Sequence, residues 1–119
     1  MWPFGRGDRA GDVAGPATID VREAFARAGK GARLIDVRSE REFAAGHPKG
    51  ARNLPPALLG SGENGLAQDD EIMLICASGH RSMREARHLA KLGYANVANV
   101  GGGMHAWQRA GLPVKARRR

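Results

Sequence analysis

One cysteine dominates the chemistry that this sequence can offer. Cys76 follows an apolar run, residues 72–75, and precedes a short segment of small and basic residues: Ala77, Ser78, Gly79, His80 and Arg81. Small residues let a backbone curl, so that successive N–H groups can converge on one point and bind an anion. A helix starting just beyond adds unpaired N–H groups and the positive end of its dipole. We therefore predict that Cys76 ionises more readily than a free thiol and acts as a nucleophile.

The side chains after Cys76 have different expected roles. Arg81 is expected to place its charge at the rim of the anion site. Ser78 and Ser82 could donate hydrogen bonds to the sulfur, although Ser82 could equally cap the following helix. His80 could act as a general acid or base, but a thiolate that is already formed needs no proton relay. The alternative for Cys76 itself is an inert cysteine that packs as a small hydrophobic residue.

Short apolar runs alternate with amphipathic stretches from about residue 17 onwards. The pattern predicts strands at 17–19, 34–37, 51–54, 71–75 and 97–100, and helices from Asp20 and Ser39, at 57–59, at 82–92 and at 104–110. Asp20 and Ser39 each precede a glutamate by three residues, which is the spacing of a capping box. Alternating strands and helices favour an α/β fold whose parallel sheet carries helices on both faces. Such sheets bind ligands beyond the carboxyl ends of their strands, where Cys76 lies.

The length and charge of the chain limit its possible domain organisation and partners. Its 119 residues fit one domain. We expect a flexible leader at 1–15, the domain at 16–114 and a basic tail at 115–119. The formal net charge of +7 suits an anionic partner. Nucleic-acid binding is not predicted, because only 5% of the residues are aromatic and no recognition motif is present.

The single cysteine and the hydropathy pattern indicate the compartment. One cysteine can form no disulfide within the chain, which agrees with a reducing environment. One cysteine and four scattered histidines show no zinc-ligand spacing, so no metal is expected. No apolar run approaches the roughly 20 residues that cross a bilayer, and no secretory apolar stretch is found. We therefore expect a cytoplasmic protein that does not bind membranes.

Four segments of the chain resemble the rhodanese homology domain, and together they span about residues 17 to 114. The first combines residues 34–38 with Glu42 and Phe43, and the second combines Gly46-His47, Gly50-Ala51 and residues 53–55. The third is the loop from Cys76 to Arg81. The fourth contains residues 92–94, Val97, residues 101–104 and Trp107. Four segments in the same order make a chance resemblance improbable.

The resemblance implies a fold and a reaction. It implies a three-layer α/β fold with a central five-stranded parallel sheet, and sulfur transfer in two steps without a metal or organic cofactor. Cys76 takes the sulfane sulfur of a small anionic donor such as thiosulfate and becomes a persulfide. The persulfide then passes its outer sulfur to cyanide, a thiol or a protein acceptor. The substrate-binding residues in this scheme are Ala77, Ser78, Gly79, His80 and Arg81.

Some features depart from the family or leave alternatives open. Pro48-Lys49 stand where the family often has an apolar residue and then proline. Asp36 and Arg38 match the family, but we take both as architectural. A phosphatase or arsenate reductase of related fold is disfavoured, because Cys76 and Arg81 enclose four residues and the phosphatase pattern needs five. A non-catalytic interaction module is the other alternative, although inactive family members commonly lack the cysteine.

Overall fold

The computed structural model describes residues 15–117, so all of the predicted leader except Gly15 lies outside the described residues, as do Arg118 and Arg119. Strands and helices alternate along the described chain as the sequence pattern predicts. The elements are β1 (Ala17–Ile19), α1 (Val21–Ala28), β2 (Arg33–Asp36), α2 (Glu40–Ala45), β3 (His47–Pro48), β4 (Arg52–Asn53), α3 (Pro56–Leu59), β5 (Ile72–Ile75), α4 (His80–Lys91), β6 (Val97–Val100), α5 (Gly103–Arg109) and β7 (Val114–Lys115).

Five of the strands form one parallel sheet, which confirms the predicted fold class. The strand order is β1-β6-β5-β2-β4, and every neighbouring pair runs parallel. Each residue of β5 is completely buried, as expected for a central parallel strand that is covered on both faces. Because β5 lies in the middle of the sheet, its carboxyl end delivers Cys76 to the centre of that edge.

Helices cover both faces of the sheet, and alternate residues of β5 point to opposite layers. Met73 and Ile75 pack in a cluster with residues of α1 and α5, whereas Ile72 and Leu74 pack in a cluster with residues of α3 and α4. Trp107 of α5 is fully buried in the first cluster. Its indole N–H donates to the carbonyl oxygen of Pro113 at 2.9 Å, so the buried polar atom is satisfied.

Two helix starts differ in detail from the sequence-based expectation. Helix α4 begins at His80 rather than at Ser82, because Gly79 adopts a left-handed conformation (φ 106°) and reverses the chain early enough for His80 to enter the helix. At α1, the Asp20 side chain accepts from the Glu23 N–H as predicted. The Glu23 carboxylate pairs with Arg27 one turn further along the helix at 2.8 Å, which replaces the second bond of a capping box.

A small antiparallel pair was not predicted. Strand β3 pairs with β7, with His47 opposite Lys115. Two-residue strands carry no readable periodicity, which is why the pattern missed them. The beginning of the predicted basic tail is therefore held against the domain. Arg117 continues this contact, since its N–H donates to the Ala44 carbonyl and its guanidinium lies 5.7 Å from the Phe43 ring centroid.

Candidate active site

Cys76 lies at the bottom of a loop that connects β5 to α4. Cys76 is only 1% exposed, although it lies beyond the carboxyl end of β5, on the side of the sheet where ligands bind. Burial of this kind fits either an inert packed thiol or a sulfur that is enclosed by polar donors. The hydrogen-bond partners of the sulfur distinguish these two interpretations.

Three donors converge on the Cys76 sulfur. The Gly79 N–H lies 3.1 Å from Sγ, the Ser82 N–H 3.3 Å and the Ser82 hydroxyl 3.2 Å. Burial raises the pKa of the Cys76 thiol, but the Ser82 hydroxyl and the N–H groups of Ser82, Gly79 and Ser78 outweigh it and lower the pKa below its ordinary value. The sulfur is therefore a thiolate over a wider pH range than a free cysteine. A thiolate accepts hydrogen bonds and has no proton to donate, so a sulfur surrounded by donors is suited to the ionised form.

Helix α5 fixes the outer side of the same loop. The N–H of Met104 donates to the Cys76 carbonyl at 2.8 Å, and the N–H of His105 donates to the Ala77 carbonyl at 3.1 Å. In a trans peptide the C=O and the following N–H point in opposite directions. Anchoring the Ala77 carbonyl on α5 therefore turns the Ser78 N–H towards the sulfur. The first turn of α5 thus orients the loop through the backbone carbonyls of Cys76 and Ala77.

This contact between α5 and the loop requires glycine at position 103. Gly103 has a φ of +56°, and a Cβ there would overlap the Cys76 carbonyl oxygen and lie 2.6 Å from the carbonyl carbon of Ala77. No side chain fits this gap. The sequence did not predict this contact, because two segments so far apart in the chain leave no local signal.

Arg81 makes a different contact from the one expected. Its two terminal nitrogens donate to the two carboxylate oxygens of Glu42, each at 3.0 Å, so the guanidinium pairs with α2. Arg81 lowers the pKa of Glu42 from 4.5 to about 2, and the carboxylate stays ionised at neutral pH. Glu42 raises the pKa of Arg81, and the Cys76 sulfur adds a smaller electrostatic attraction. The predicted cation is thus near the site, but its charge is largely matched by Glu42.

The Ser78 and His80 side chains bond to each other. The hydroxyl of Ser78 shares a 3.0 Å hydrogen bond with Nδ1 of His80, and both residues are exposed. Ser78 therefore acts on Cys76 through its backbone N–H alone. Ser82, in contrast, is fully buried and does not cap α4, whose N-cap is Gly79. The alternative left open for Ser82 is settled in favour of a contact with the sulfur.

A buried ion pair supports the neighbouring loop at the end of β2. Arg38 donates to the Asp36 carboxylate at 2.7 Å and to the Gly46 carbonyl at 2.6 Å, and the pair is nearly excluded from solvent. The side chain of Asn53 donates to the backbone carbonyls of Asp36 and Arg38. These contacts join the end of β2 to the turn after α2 and to β4, which agrees with the architectural role expected for Asp36 and Arg38.

A polar cavity of about 280 Å³ adjoins the loop. Ala77 is the loop residue that lines it, together with residues of α2 and α5, among them Glu42, His105 and Gln108. Within residues 15–117, no three His, Cys, Asp or Glu side chains lie close enough together to hold a metal ion. In the same part of the chain, no helix has the length and apolar character needed to cross a bilayer.

Comparison with known proteins identifies relatives of this chain. The sequence model described as "Rhodanese-like domain" matches residues 12–110. The chain is 34% identical over 113 residues to "Thiosulfate sulfurtransferase 16, chloroplastic" of Arabidopsis thaliana, covering 85% of this chain and 94% of the relative. It is also 34% identical to "Protein HIGH ARSENIC CONTENT 1, mitochondrial" of the same plant, covering 80% of this chain and 63% of the relative.

Solved structures share the fold. The crystal structure of a rhodanese-related protein from Thermoplasma volcanium superimposes with a TM-score of 0.73 at 29% sequence identity. The match covers 83% of this chain and 97% of that chain. The similarity therefore extends over nearly the whole length of that protein.

Proposed function

Because the chain belongs to the family of rhodanese-like domains, we propose that it is a sulfurtransferase that carries sulfane sulfur as a persulfide on Cys76. Its relatives include a protein named as a thiosulfate sulfurtransferase, which supports this class of activity. We propose thiosulfate or a persulfide as the donor, and cyanide, a thiol or a protein thiol as the acceptor.

The observation that carries this proposal is the convergence of donors on Sγ of Cys76. Two N–H groups and one hydroxyl lie within 3.3 Å of the sulfur. An inert buried thiol has no need of three donors, whereas a thiolate or a persulfide anion does. The same donors can follow the negative charge when it moves to the outer sulfur.

The proposed reaction requires only the Cys76 thiolate, the sulfur donor and the acceptor. The Cys76 thiolate attacks the sulfane sulfur of thiosulfate, an S–S bond forms, and the S–S bond of the donor breaks to release sulfite with its electron pair. The product is Cys76–S–S⁻. Cyanide then attacks the outer sulfur, leaves as thiocyanate and regenerates the thiolate. No proton is transferred in either step, which agrees with the exposed position of His80.

Intact mass measurement tests the proposal. The reduced protein, freed of reducing agent and mixed with thiosulfate, is expected to gain the mass of one sulfur atom. Cyanide is expected to remove that mass and to yield an equal amount of thiocyanate. Because the reactive form is the thiolate, loading is expected to accelerate as the pH rises through the lowered Cys76 pKa and then to level off.

Protein alkylated at Cys76 with iodoacetamide is the matched control, since Cys76 is the single cysteine in the sequence. It is expected to gain no sulfur. If unmodified protein stays free of an adduct with both thiosulfate and a low-molecular-weight persulfide, the sulfurtransferase proposal is wrong. That result would leave the family's non-catalytic, protein-binding role as the better assignment.

The Arg81–Glu42 pair is expected to tune donor binding. Arg81→Ala removes a cation near an anionic donor, so we expect slower persulfide formation from thiosulfate with an unchanged fold. Glu42→Gln keeps the shape and frees the guanidinium, so we expect the KM for thiosulfate to fall about two- to five-fold, the range of a half-exposed ion pair. The rate of thiocyanate formation, measured as a function of thiosulfate concentration, reports both effects.

The informative result is a slower reaction in Arg81→Ala together with a lower KM for thiosulfate in Glu42→Gln. Both residues are partly exposed, so neither change empties the core. If Arg81→Ala turns over thiosulfate at the wild-type rate, Arg81 takes no part in donor binding. If both variants slow the reaction equally, the pair acts only by holding α2 against α4.

An arsenate-related activity is the second candidate, because one relative is named for high arsenic content. The chain offers a single cysteine, so no second cysteine of its own can resolve an arsenate adduct on Cys76. An external thiol would have to do so. Formation of arsenite from arsenate in the presence of glutathione, at a rate exceeding sulfur transfer, would favour this candidate.

We also propose that the protein acts in a reducing compartment. The single buried cysteine is functional only as a free thiol, which agrees with the cytoplasm. Two of the relatives are named as chloroplastic and mitochondrial proteins. Cell fractionation with antibody detection distinguishes these compartments.

A further inference from the structure

Transfer of the outer sulfur to a thiol acceptor differs from loading in one respect, because the acceptor has a proton to lose. The thiolate is the form that attacks a sulfur–sulfur bond. A free cysteine thiol with a pKa of about 8.5 is only about 3% ionised at pH 7. A base beside the Cys76 loop therefore accelerates the step that empties the persulfide and leaves the loading step unchanged.

Among the described residues that line the polar cavity beside the loop, three are titratable: Arg38, Glu42 and His105. Arg38 is a cation bound to the Asp36 carboxylate at 2.7 Å, so it has no site for a further proton. Both carboxylate oxygens of Glu42 accept from Arg81, which lowers the pKa of Glu42 to about 2 and makes it a weak base. Imidazole is the side chain that takes up a proton near neutral pH, which leaves His105.

His105 lies in the first turn of α5, where its backbone contacts the residue next to the nucleophile. Its N–H donates to the Ala77 carbonyl at 3.1 Å, and its exposed side chain lines the same cavity as Ala77. Within residues 15–117 the His105 imidazole forms no hydrogen bond, so a ring nitrogen is open to a substrate. Nδ1 of His80, in contrast, is bonded to the Ser78 hydroxyl.

The other elements that pack on α5 add no competing base. Helix α1 and strand β3 both contact α5, but no titratable side chain of either one, among the residues that the structure describes, lines this cavity. The remaining cavity residues of α5, Met104 and Gln108, carry no titratable group. A thiol that enters the cavity therefore meets one neutral proton acceptor.

We infer that His105 is a catalytic base that accepts the proton of a thiol acceptor bound in this cavity, which makes thiols the acceptor class that the site favours. The acceptor sulfur forms an S–S bond to the outer sulfur of the persulfide. The bond between that outer sulfur and Sγ of Cys76 breaks, and its electron pair returns to Cys76 as the thiolate. The proton passes to the imidazole and then to water. This inference rests on the proposed function, since it concerns the step that empties the Cys76 persulfide.

Single-turnover discharge of the loaded protein tests the role of His105. The protein is loaded with thiosulfate, freed of excess donor and mixed with glutathione, and the loss of the sulfur is followed by intact mass. Unassisted attack at pH 7 uses the roughly 3% of acceptor that is already ionised, so the loss in His105→Gln is limited to about 30-fold. We expect a loss of about 10- to 30-fold at pH 7. At about pH 9.5, where most of the thiol is ionised without a base, we expect the difference to fall below about two-fold.

Sulfite is the matched acceptor, because its dianion takes the outer sulfur back to thiosulfate without losing a proton. We expect His105→Gln to load from thiosulfate and to discharge to sulfite at wild-type rates. The substituted side chain is exposed and the N–H that holds Ala77 remains, so circular dichroism is expected to show the wild-type fold. His88→Gln is the control variant, since His88 is also an exposed helical histidine but does not line the cavity. It is expected to match the wild type with both acceptors.

Three results would overturn the inference. These are equal losses with glutathione and with sulfite, a loss with glutathione that persists at high pH, and wild-type discharge in His105→Gln. A loss in His80→Gln together with a wild-type rate in His105→Gln would assign the base to His80 instead.

The test separates this inference from the proposed function. A protein that takes up no sulfur from thiosulfate or from a persulfide is not a sulfurtransferase, and the role of His105 is disproved with it. A protein that loads normally and discharges to glutathione equally well without the imidazole remains a sulfurtransferase, and only the base is disproved.

Discussion

Replacement of Cys76 by serine is expected to abolish sulfur loading and to lower thiosulfate turnover at least about a thousand-fold. A serine hydroxyl remains protonated at neutral pH and cannot form a persulfide, even though the same three donors surround it. The rate of thiocyanate formation measures the loss. Because Cys76 is the sole cysteine, no second thiol in the sequence can substitute for it.

The fold of this variant is expected to survive. Serine is smaller than cysteine and its oxygen can still accept from the Gly79 and Ser82 N–H groups, so the free energy of unfolding is expected to fall by only about 1 kcal/mol. Thermal unfolding checks this. Turnover within a few-fold of the wild type would mean that the sulfur is carried elsewhere, and the loop geometry would need another explanation.

Gly103→Ala is expected to damage both the fold and the reactivity of the thiol. Alanine at a φ of +56° costs about 1–2 kcal/mol, and its Cβ would overlap the Cys76 carbonyl and press on Ala77. The loop must then move away from α5, so we expect a total destabilisation of about 3 kcal/mol and a Cys76 pKa close to that of a free thiol. Denaturant unfolding and the pH profile of alkylation measure the two effects.

Gly111→Ala is the matched control for this substitution. Gly111 also has a positive φ, of 72°, but a Cβ there would meet nothing within 4 Å. We expect it to cost about 1 kcal/mol and to leave the alkylation profile of Cys76 unchanged. If Gly103→Ala behaves like Gly111→Ala, the contact between α5 and the loop does not control the ionisation of the thiol.

The fold and the nucleophile could be predicted because their signals are local. The apolar run of β5 and the small residues that follow Cys76 appear within ten consecutive positions. The alternation of strands and helices then restricts the topology to a parallel sheet. Even the start of α4 was misplaced by only two residues, where the left-handed Gly79 reverses the chain earlier than expected.

The supporting contacts could not be predicted, because they join residues that are far apart in the sequence. Glu42 reads as a helix-capping residue, and it does accept from the Ser39 N–H, but its pairing with Arg81 spans 39 positions. Asn99 reads as one polar residue in an apolar strand. Its position beside Ser82 depends on the register of β6 in the sheet and on the packing of α4.

The dependence of the loop on α5 has a consequence for synthesis of the protein. Residues 76–82 leave the ribosome before residues 103–105, whose N–H groups and close approach give the loop its shape. A nascent chain that has exposed Cys76 but not yet the last helix carries an ordinary thiol, shielded by its own protonation from stray electrophiles. The acidity of the thiol therefore arises only when the first turn of α5 has been added, so a translation product that stops before this turn has the nucleophile but not its acidity.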